Sequence, residues 1–154
     1  MQTPSFRCSL GCRPVHPEAI HHIGHAVDDL PAAMDVYERL FGGVVEHRET
    51  VPSQGVEAVS MRVGESRIEL LRPLGDDTPV GKFLVDRGPG MHHIAYLVSD
   101  IRASLRGAAA AGAELIDAEP RPGLFGLEVA FIHPGSVAGV LVEYVQYGGD
   151  GDGS

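Results

Sequence analysis

This chain has no apolar run that approaches the ~20 residues a bilayer-spanning helix needs. Its opening stretch, MQTPSFRCSLGCRPVHPE, lacks the basic start, continuous apolar core and small-residue cleavage site of a secretory signal, so a soluble cytosolic protein is expected. Positive charge is scarce. The 12 Lys and Arg face 21 Asp and Glu, for a formal net charge of −9, and no basic stripe with interleaved aromatics offsets the excess. Such a surface repels a polyanionic backbone, which argues against nucleic-acid partners and leaves a small anionic ligand only where a few basic side chains converge. Cysteine is nearly absent. Cys8 and Cys12 both fall in a Pro-containing leader, where with His16 they make half of a metal site whose other half is missing. The 154 residues amount to about one domain. We expect a disordered leader over residues 1–18, one domain over 19–147 and a Gly/Asp-rich disordered tail over 148–154.

What the chain does contain is a repeat: HHIGHAVDDL at 21–30 returns as HHIAYLVSDI at 92–101. Alternation from His22 to Val27 reads as a strand, and DDLPAAMDVYERLFGG after it reads as an amphipathic helix. Asp28 or Asp29 suits the N-cap and Pro31 the first turn. Met34, Tyr37, Leu40 and Phe41 share an apolar face, and Gly42 stops the helix. Three strand-like runs follow, VVEHRETV, VEAVSMRV and RIELLRPL, parted by the turn segments PSQG and GES. The second half repeats this order. A strand from His93 leads into a helix capped by Ser99 or Asp100 and closed at Gly112, then strands around Leu115 to Asp117, LEVAFIH and GVLVEYVQ. The expected class is α+β, with two βαβββ units at about 20–88 and 90–147 packed side by side, because neither half can cover its own apolar sheet face alone.

Alternation puts His22, Gly24 and Ala26 on one strand face and His93 in the matching place of the second unit, so His21 and His92 are expected to point the other way. Each unit's last strand carries one carboxylate among apolar residues, Glu69 and Glu143. A carboxylate there is costly unless paired or bound to a cation. Two imidazoles and two carboxylates at equivalent places in two halves suit one divalent metal. Taken singly, each residue also fits a satisfied core histidine or a solvent-facing glutamate. It is their joint register with the repeat that favours the metal.

The succession HHIGHAV, VPSQGV, RIELLRPL, GKFL, GPGMHHIAYLVSDI, EPRPG, VAFIHP and GVLVEYVQ resembles the methylmalonyl-CoA epimerases of the vicinal oxygen chelate superfamily, from about Ile20 to Gln146. The resemblance implies a cupped mixed sheet around one divalent ion (Co, Zn, Mn, Ni, Fe or Mg) held by His22, Glu69, His93 and Glu143. It also implies a homodimer, an acyl-CoA substrate, and proton transfer at the carbon between the carboxylate and thioester of methylmalonyl-CoA or a similar 2-alkylmalonyl-CoA. That proton is weakly acidic, so enolate charge must be stabilised as it develops, and inversion needs bases on opposite faces.

Glu143 fits one base. For the other, relatives often place a glutamate where this chain has Ala58, and Glu57 stands one residue away. A one-residue slip turns a strand side chain to the opposite face, so Glu57 qualifies as a catalytic base only if a bulge restores its direction; a solvated edge carboxylate is expected instead. Gln54, Arg72, Lys82, Arg121, Leu124 and Phe125 are expected substrate contacts, and Arg87 is a further anion partner. A second enzyme reading is a glyoxalase-type lyase or another isomerase of the superfamily; Gly135, where relatives commonly have lysine, the bulky Leu124 and Phe125, and Ala58 favour a third, a cyclase or epimerase of a specialised pathway that keeps the metal site. The non-enzyme alternative is a ligand-sequestering resistance protein, against which four retained ligand residues argue. His25 is expected to face core or helix, away from the metal.

Overall fold

The computed structural model describes residues 16–149; Cys8, Cys12, most of the expected leader and the end of the tail lie outside that range. The first half runs β1 (Ala19–Ala26), α1 (Leu30–Phe41), β2 (Val44–Val51), β3 (Val56–Val63) and β4 (Ser66–Pro73). A connecting helix, α2 (Pro79–Arg87), leads to β5 (Gly90–Leu97), α3 (Ile101–Ala110), β6 (Arg121–Pro122), β7 (Leu127–Ile132) and β8 (Val142–Tyr147). The strands form one eight-stranded sheet in the order β2-β3-β4-β1-β5-β8-β7-β6. β1 pairs with β4, and β5 with β8, in parallel, while β1 and β5 join the halves antiparallel. Ile23 faces Ile94 at the centre of that seam, which is the local twofold of the repeat.

The helix ends follow the sequence signals. Asp29 caps α1 by accepting from the Ala32 N–H at 3.0 Å, and Gly42 ends it at φ 62°. Asp100 caps α3 in the same way through Ala103. Both helices cover the outer sheet face, α1 over Val59, Met61 and Leu70, and α3 over Val98 and Ala130. Each fully buried aliphatic side chain there contributes ~1.5–3 kcal/mol relative to exposure. The inner face carries Ala26, Val56, Ala58 and Leu71, roofed by Val80 of α2 and by Leu124.

Four expectations change. Helix α2 was not anticipated, although Thr78 caps it through the Gly81 N–H and Pro79 fills its first turn. The strand expected at Leu115 to Asp117 shrinks to a single bridge, Leu115 to Ile132. Two-residue β6 takes the edge place, because Pro120 and Pro122 lack the N–H that a longer strand would need. On α1 the packed face is Leu30, Ala33, Met34 and Tyr37; Leu40 and Phe41 are exposed. Ordered pairing also begins earlier than the leader's expected end, since the Glu18 N–H donates to the Leu97 carbonyl at 2.8 Å.

Candidate metal centre and active site

The four central strands, β4, β1, β5 and β8, each send one polar side chain to the inner face: Glu69, His22, His93 and Glu143, all buried. The register explains how they fit. Gly24 sits between Glu69 and His93 on the flanking strands, and Ala95 sits between His22 and Glu143. Each imidazole therefore lies over a small residue of the opposite half. At Gly24 the fit is tight, since a Cβ there would stand 2.2 Å from His93 Cε1.

His22 Nε2 and His93 Nε2 are 3.0 Å apart. His22 Nε2 lies 3.4 Å from Glu69 Oε2 and 3.3 Å from Glu143 Oε2, and His93 Nε2 lies 3.1 Å from Glu143 Oε2. Donor atoms of His22, Glu69 and His93 all fall within 4.8 Å of one another, a group able to hold a metal ion, and Glu143 adjoins both histidines. Two donors each ~2.1 Å from one ion and roughly at right angles are ~3 Å apart, so these spacings match the edges of a coordination polyhedron. The charges bear the marks of crowding. Burial opposes protonation of His22, but Glu69 and Glu143 outweigh it and raise its pKa. Burial raises the pKa of Glu69; for Glu143 burial pushes the same way, but hydrogen bonds from His22 and His93 overcome it and hold the carboxyl well below the usual range.

His21 and His92 do not simply turn away, as alternation suggested. Each ring folds back so that its Nδ1 meets the Nδ1 of the next histidine, at 2.8 Å for His21–His22 and 3.0 Å for His92–His93. With Nδ1 of His22 and His93 donating in these contacts, each Nε2 would present its lone pair to a metal ion once the proton it shares with Glu143 is displaced. Burial, then the neighbouring imidazole, lowers the pKa of His21 and of His92 to about 4, so both can accept as neutral rings. Partners of this kind orient metal-ligating imidazoles, and losing one typically costs 10–100-fold in metal affinity. His21→Ala and His92→Ala are each expected to weaken Co binding about 10–100-fold with little change in the circular dichroism spectrum, as measured by calorimetric titration.

Around the cluster opens a cavity of about 700 Å³. Val56, Leu71, Phe83, Leu124 and Val129 line its walls. Arg87 and Arg121 are exposed lining residues, and their guanidinium carbons lie 5.6 and 5.4 Å over the rings of Phe83 and Phe131. Gln54 also lines the cavity, and its Nε2 donates to the Pro122 carbonyl at 3.3 Å. Phe125 packs behind Leu124 against the inner core.

Other expected substrate contacts are placed elsewhere. Lys82 is exposed on α2 and is not among the residues lining the cavity. Arg72 and Glu57 lie on the outer face, where both Arg48 and Arg72 donate to Glu57, at 2.6 and 3.0 Å in their shortest contacts. Glu57 is thus turned away as parity required, but it is a carboxylate clamped by two guanidiniums on an interior strand rather than a free edge residue. His25 lies under α1, bonded to the Tyr37 hydroxyl at 2.8 Å.

Sequence reasoning missed Glu49. The β2–β3 register sets it beside Ala58, on the inner face, and its charge reaches Glu69. Counting strand parity from Ala58 across the PSQG turn would have found it.

Residues 21–131 match the family model of the Glyoxalase/Bleomycin resistance protein/Dioxygenase superfamily. The Bacillus subtilis protein YqjC, itself uncharacterized, is 39% identical over 131 residues, covering 85% of this chain and 94% of that one. An ethylmalonyl-CoA/methylmalonyl-CoA epimerase of Cereibacter sphaeroides is 38% identical over 130 residues, covering 82% and 96%. A variant Streptomyces coelicolor methylmalonyl-CoA epimerase, solved with 2-nitronate-propionyl-CoA, superposes with a TM-score of 0.83 at 34% identity, covering 87% and 97%. By the extent of these matches, the chain belongs to the glyoxalase/bleomycin resistance protein/dioxygenase superfamily, in the branch that holds the methylmalonyl-CoA epimerases.

Proposed function

We propose that the protein is an isomerase that epimerises methylmalonyl-CoA or a similar 2-alkylmalonyl-CoA by 1,1-proton transfer at the α-carbon, with one divalent metal ion. The observation that carries this reading is the convergence of two imidazoles and two carboxylates, one pair from each half, beside an apolar-walled cavity with two guanidiniums at its exposed rim. His22, Glu69, His93 and Glu143 form a donor set suited to Co, Zn, Mn, Ni or Fe, with Mg as a harder alternative. When bound, such an ion acts as a Lewis acid toward negative charge developing on the substrate oxygens. The chain's own residues do the rest. Glu143 takes or returns a proton at the α-carbon. Val56, Leu71 and Leu124 exclude water around the alkyl group. Arg87 and Arg121 meet the anionic part of the acyl-CoA, with Gln54 holding the strap that carries Leu124.

The proposal includes a homodimer in the cytosol. β2 is an open sheet edge, and Val44 and Val45 are exposed on it beside Leu40 and Phe41, an apolar surface that a second copy would cover. No helix among the described residues is long and apolar enough to cross a membrane.

Deuterium wash-in at the α-carbon of methylmalonyl-CoA in heavy water, followed by NMR, tests the reaction class. Exchange that a chelator removes and added Co restores is expected. A fully metallated protein that exchanges nothing, yet turns over thiol hemithioacetals, would instead be a glyoxalase-type lyase.

A further inference from the structure

Inversion at carbon needs a proton acceptor on each face of the substrate, and the reading above uses the cluster's Glu143 for one face and keeps Glu69 as a ligand. The remaining acidic residues near the site sort by register and partner. Glu57 lies on the outer face, held by Arg48 and Arg72, and Glu46, in the bulge of β2, is held by Arg62 and Arg67 at the far end of the sheet. Asp117 accepts from Arg121 and from the Phe131 N–H. Asp86 lines the cavity only as an exposed residue at the end of α2.

Glu49 differs from all of these. It stands in a cross-strand row with Ala58, Leu71 and Ala26, the inner face that carries the apolar floor of the site. Ala58 is fully buried and offers only a methyl group, so nothing on β3 blocks a longer side chain reaching inward from β2, one strand spacing of ~4.8 Å away. Glu49 Oε2 accepts the Phe125 N–H at 2.9 Å, while Oε1 has no hydrogen-bond partner among the described residues. Phe125 holds φ 57°, a left-handed conformation uncommon for a bulky residue, and its ring stacks on His47, 5.5 Å away at 30°. Strained backbone of this kind persists where surrounding structure over-determines it, and here it aims an N–H at one carboxylate. The next residue back, Leu124, is a cavity wall, so this bond fixes Glu49 directly behind that wall, although Glu49 is not itself a lining residue.

We propose that Glu49 is the second base, serving the substrate face opposite Glu143; this rests on the epimerase reading above. Glu49 comes from β2 of the first half and Glu143 from β8 of the second, on either side of the imidazole pair. In one direction the α-carbon–hydrogen bond breaks, its electron pair becomes the enolate, and the proton forms a carboxylic acid on Glu49. Glu143, entering as the acid, gives its proton to the opposite face and leaves as carboxylate. The reverse direction exchanges the two roles, and no oxidant, reductant or co-reactant is needed.

Glu49→Gln tests the assignment, because the amide oxygen can still accept from Phe125 while the base is lost. Each epimer of methylmalonyl-CoA is incubated separately in heavy water with metallated protein. Wild type is expected to exchange and interconvert both. Glu49→Gln should interconvert them at least ~100-fold more slowly, yet still wash deuterium into one epimer with retention, through Glu143. Glu49→Asp, which keeps a drawn-back carboxylate, should invert at an intermediate rate. Inversion at the wild-type rate by Glu49→Gln, loss of exchange from both epimers, or equal rates in the two variants would overturn the proposal and leave the epimerase reading standing. Absence of chelator-sensitive exchange in the wild type would overturn both.

Discussion

Glu143→Gln should slow epimer interconversion, and α-proton exchange from the epimer whose proton faces Glu143, by at least ~10³-fold, within the 10²–10⁴ range that one positioned base supplies and augmented by weaker metal binding. The Glu143 side chain is only 9% exposed and lies 3.3 and 3.1 Å from the two Nε2 atoms. Glutamine preserves its shape on β8 but removes both the negative charge and the proton-accepting oxygen. Because the residue is also a proposed ligand, exchange must be followed at saturating Co, with bound metal counted in the same sample. The expected result is a metal-loaded protein that no longer interconverts the epimers and exchanges only the one whose α-proton faces Glu49. If loading by Co restores wild-type exchange, Glu143 serves as a ligand alone.

The second large effect is expected from one added methyl group. In Gly24→Ala the new Cβ would stand 2.2, 2.3 and 2.8 Å from Cε1, Nδ1 and Nε2 of His93. The obstacle is a whole imidazole in a buried cluster, so His93 must leave its place and take its Nε2 with it. Co affinity is expected to fall more than ~100-fold, the upper end for orienting residues, since a ligand itself is displaced. Epimerase activity should fall toward background while circular dichroism stays near wild type. The mirror-image substitution, Ala95→Gly, serves as the control: His22 already lies over a Cβ there, so only ~0.5–1 kcal/mol of strand stability is at stake. Equal Co affinity in Gly24→Ala and wild type would mean that His93 is not a ligand.

These effects depend on register, which explains how far the sequence could be read. Strand parity plus the repeat selected His22, Glu69, His93 and Glu143 before any geometry was known, because one buried polar residue in an apolar strand is visible in a single line of sequence. The same parity turned Glu57 outward, and Arg48 and Arg72 meet it there. Parity describes where a Cα–Cβ bond points and not where a ring ends, so the folding back of His21 and His92 was invisible. Arg72 was assigned to the substrate by charge alone, although it neighbours Glu69 by three positions and so takes the opposite face. Leu40 and Phe41 satisfy helical periodicity yet lie past the sheet that α1 covers. Glu49 was hidden for a different reason. Its relation to Ala58 crosses a turn, and a cross-strand neighbour is legible only once the length of that turn is fixed.

The seam between β1 and β5 is also a mechanical joint. Among the described residues it is the sole strand pairing that joins the two halves, and it buries two carboxylates against two imidazoles drawn from both sides. A cation seated there would be a rivet as well as a reagent, since the side chains able to hold it come from both halves. At 100 times its dissociation constant, a ligand confined to the folded state adds ~2.7 kcal/mol to stability. Much of the cohesion of the working enzyme would then be on loan from the ion, and starvation for metal would loosen the joint between the halves as well as stop the chemistry.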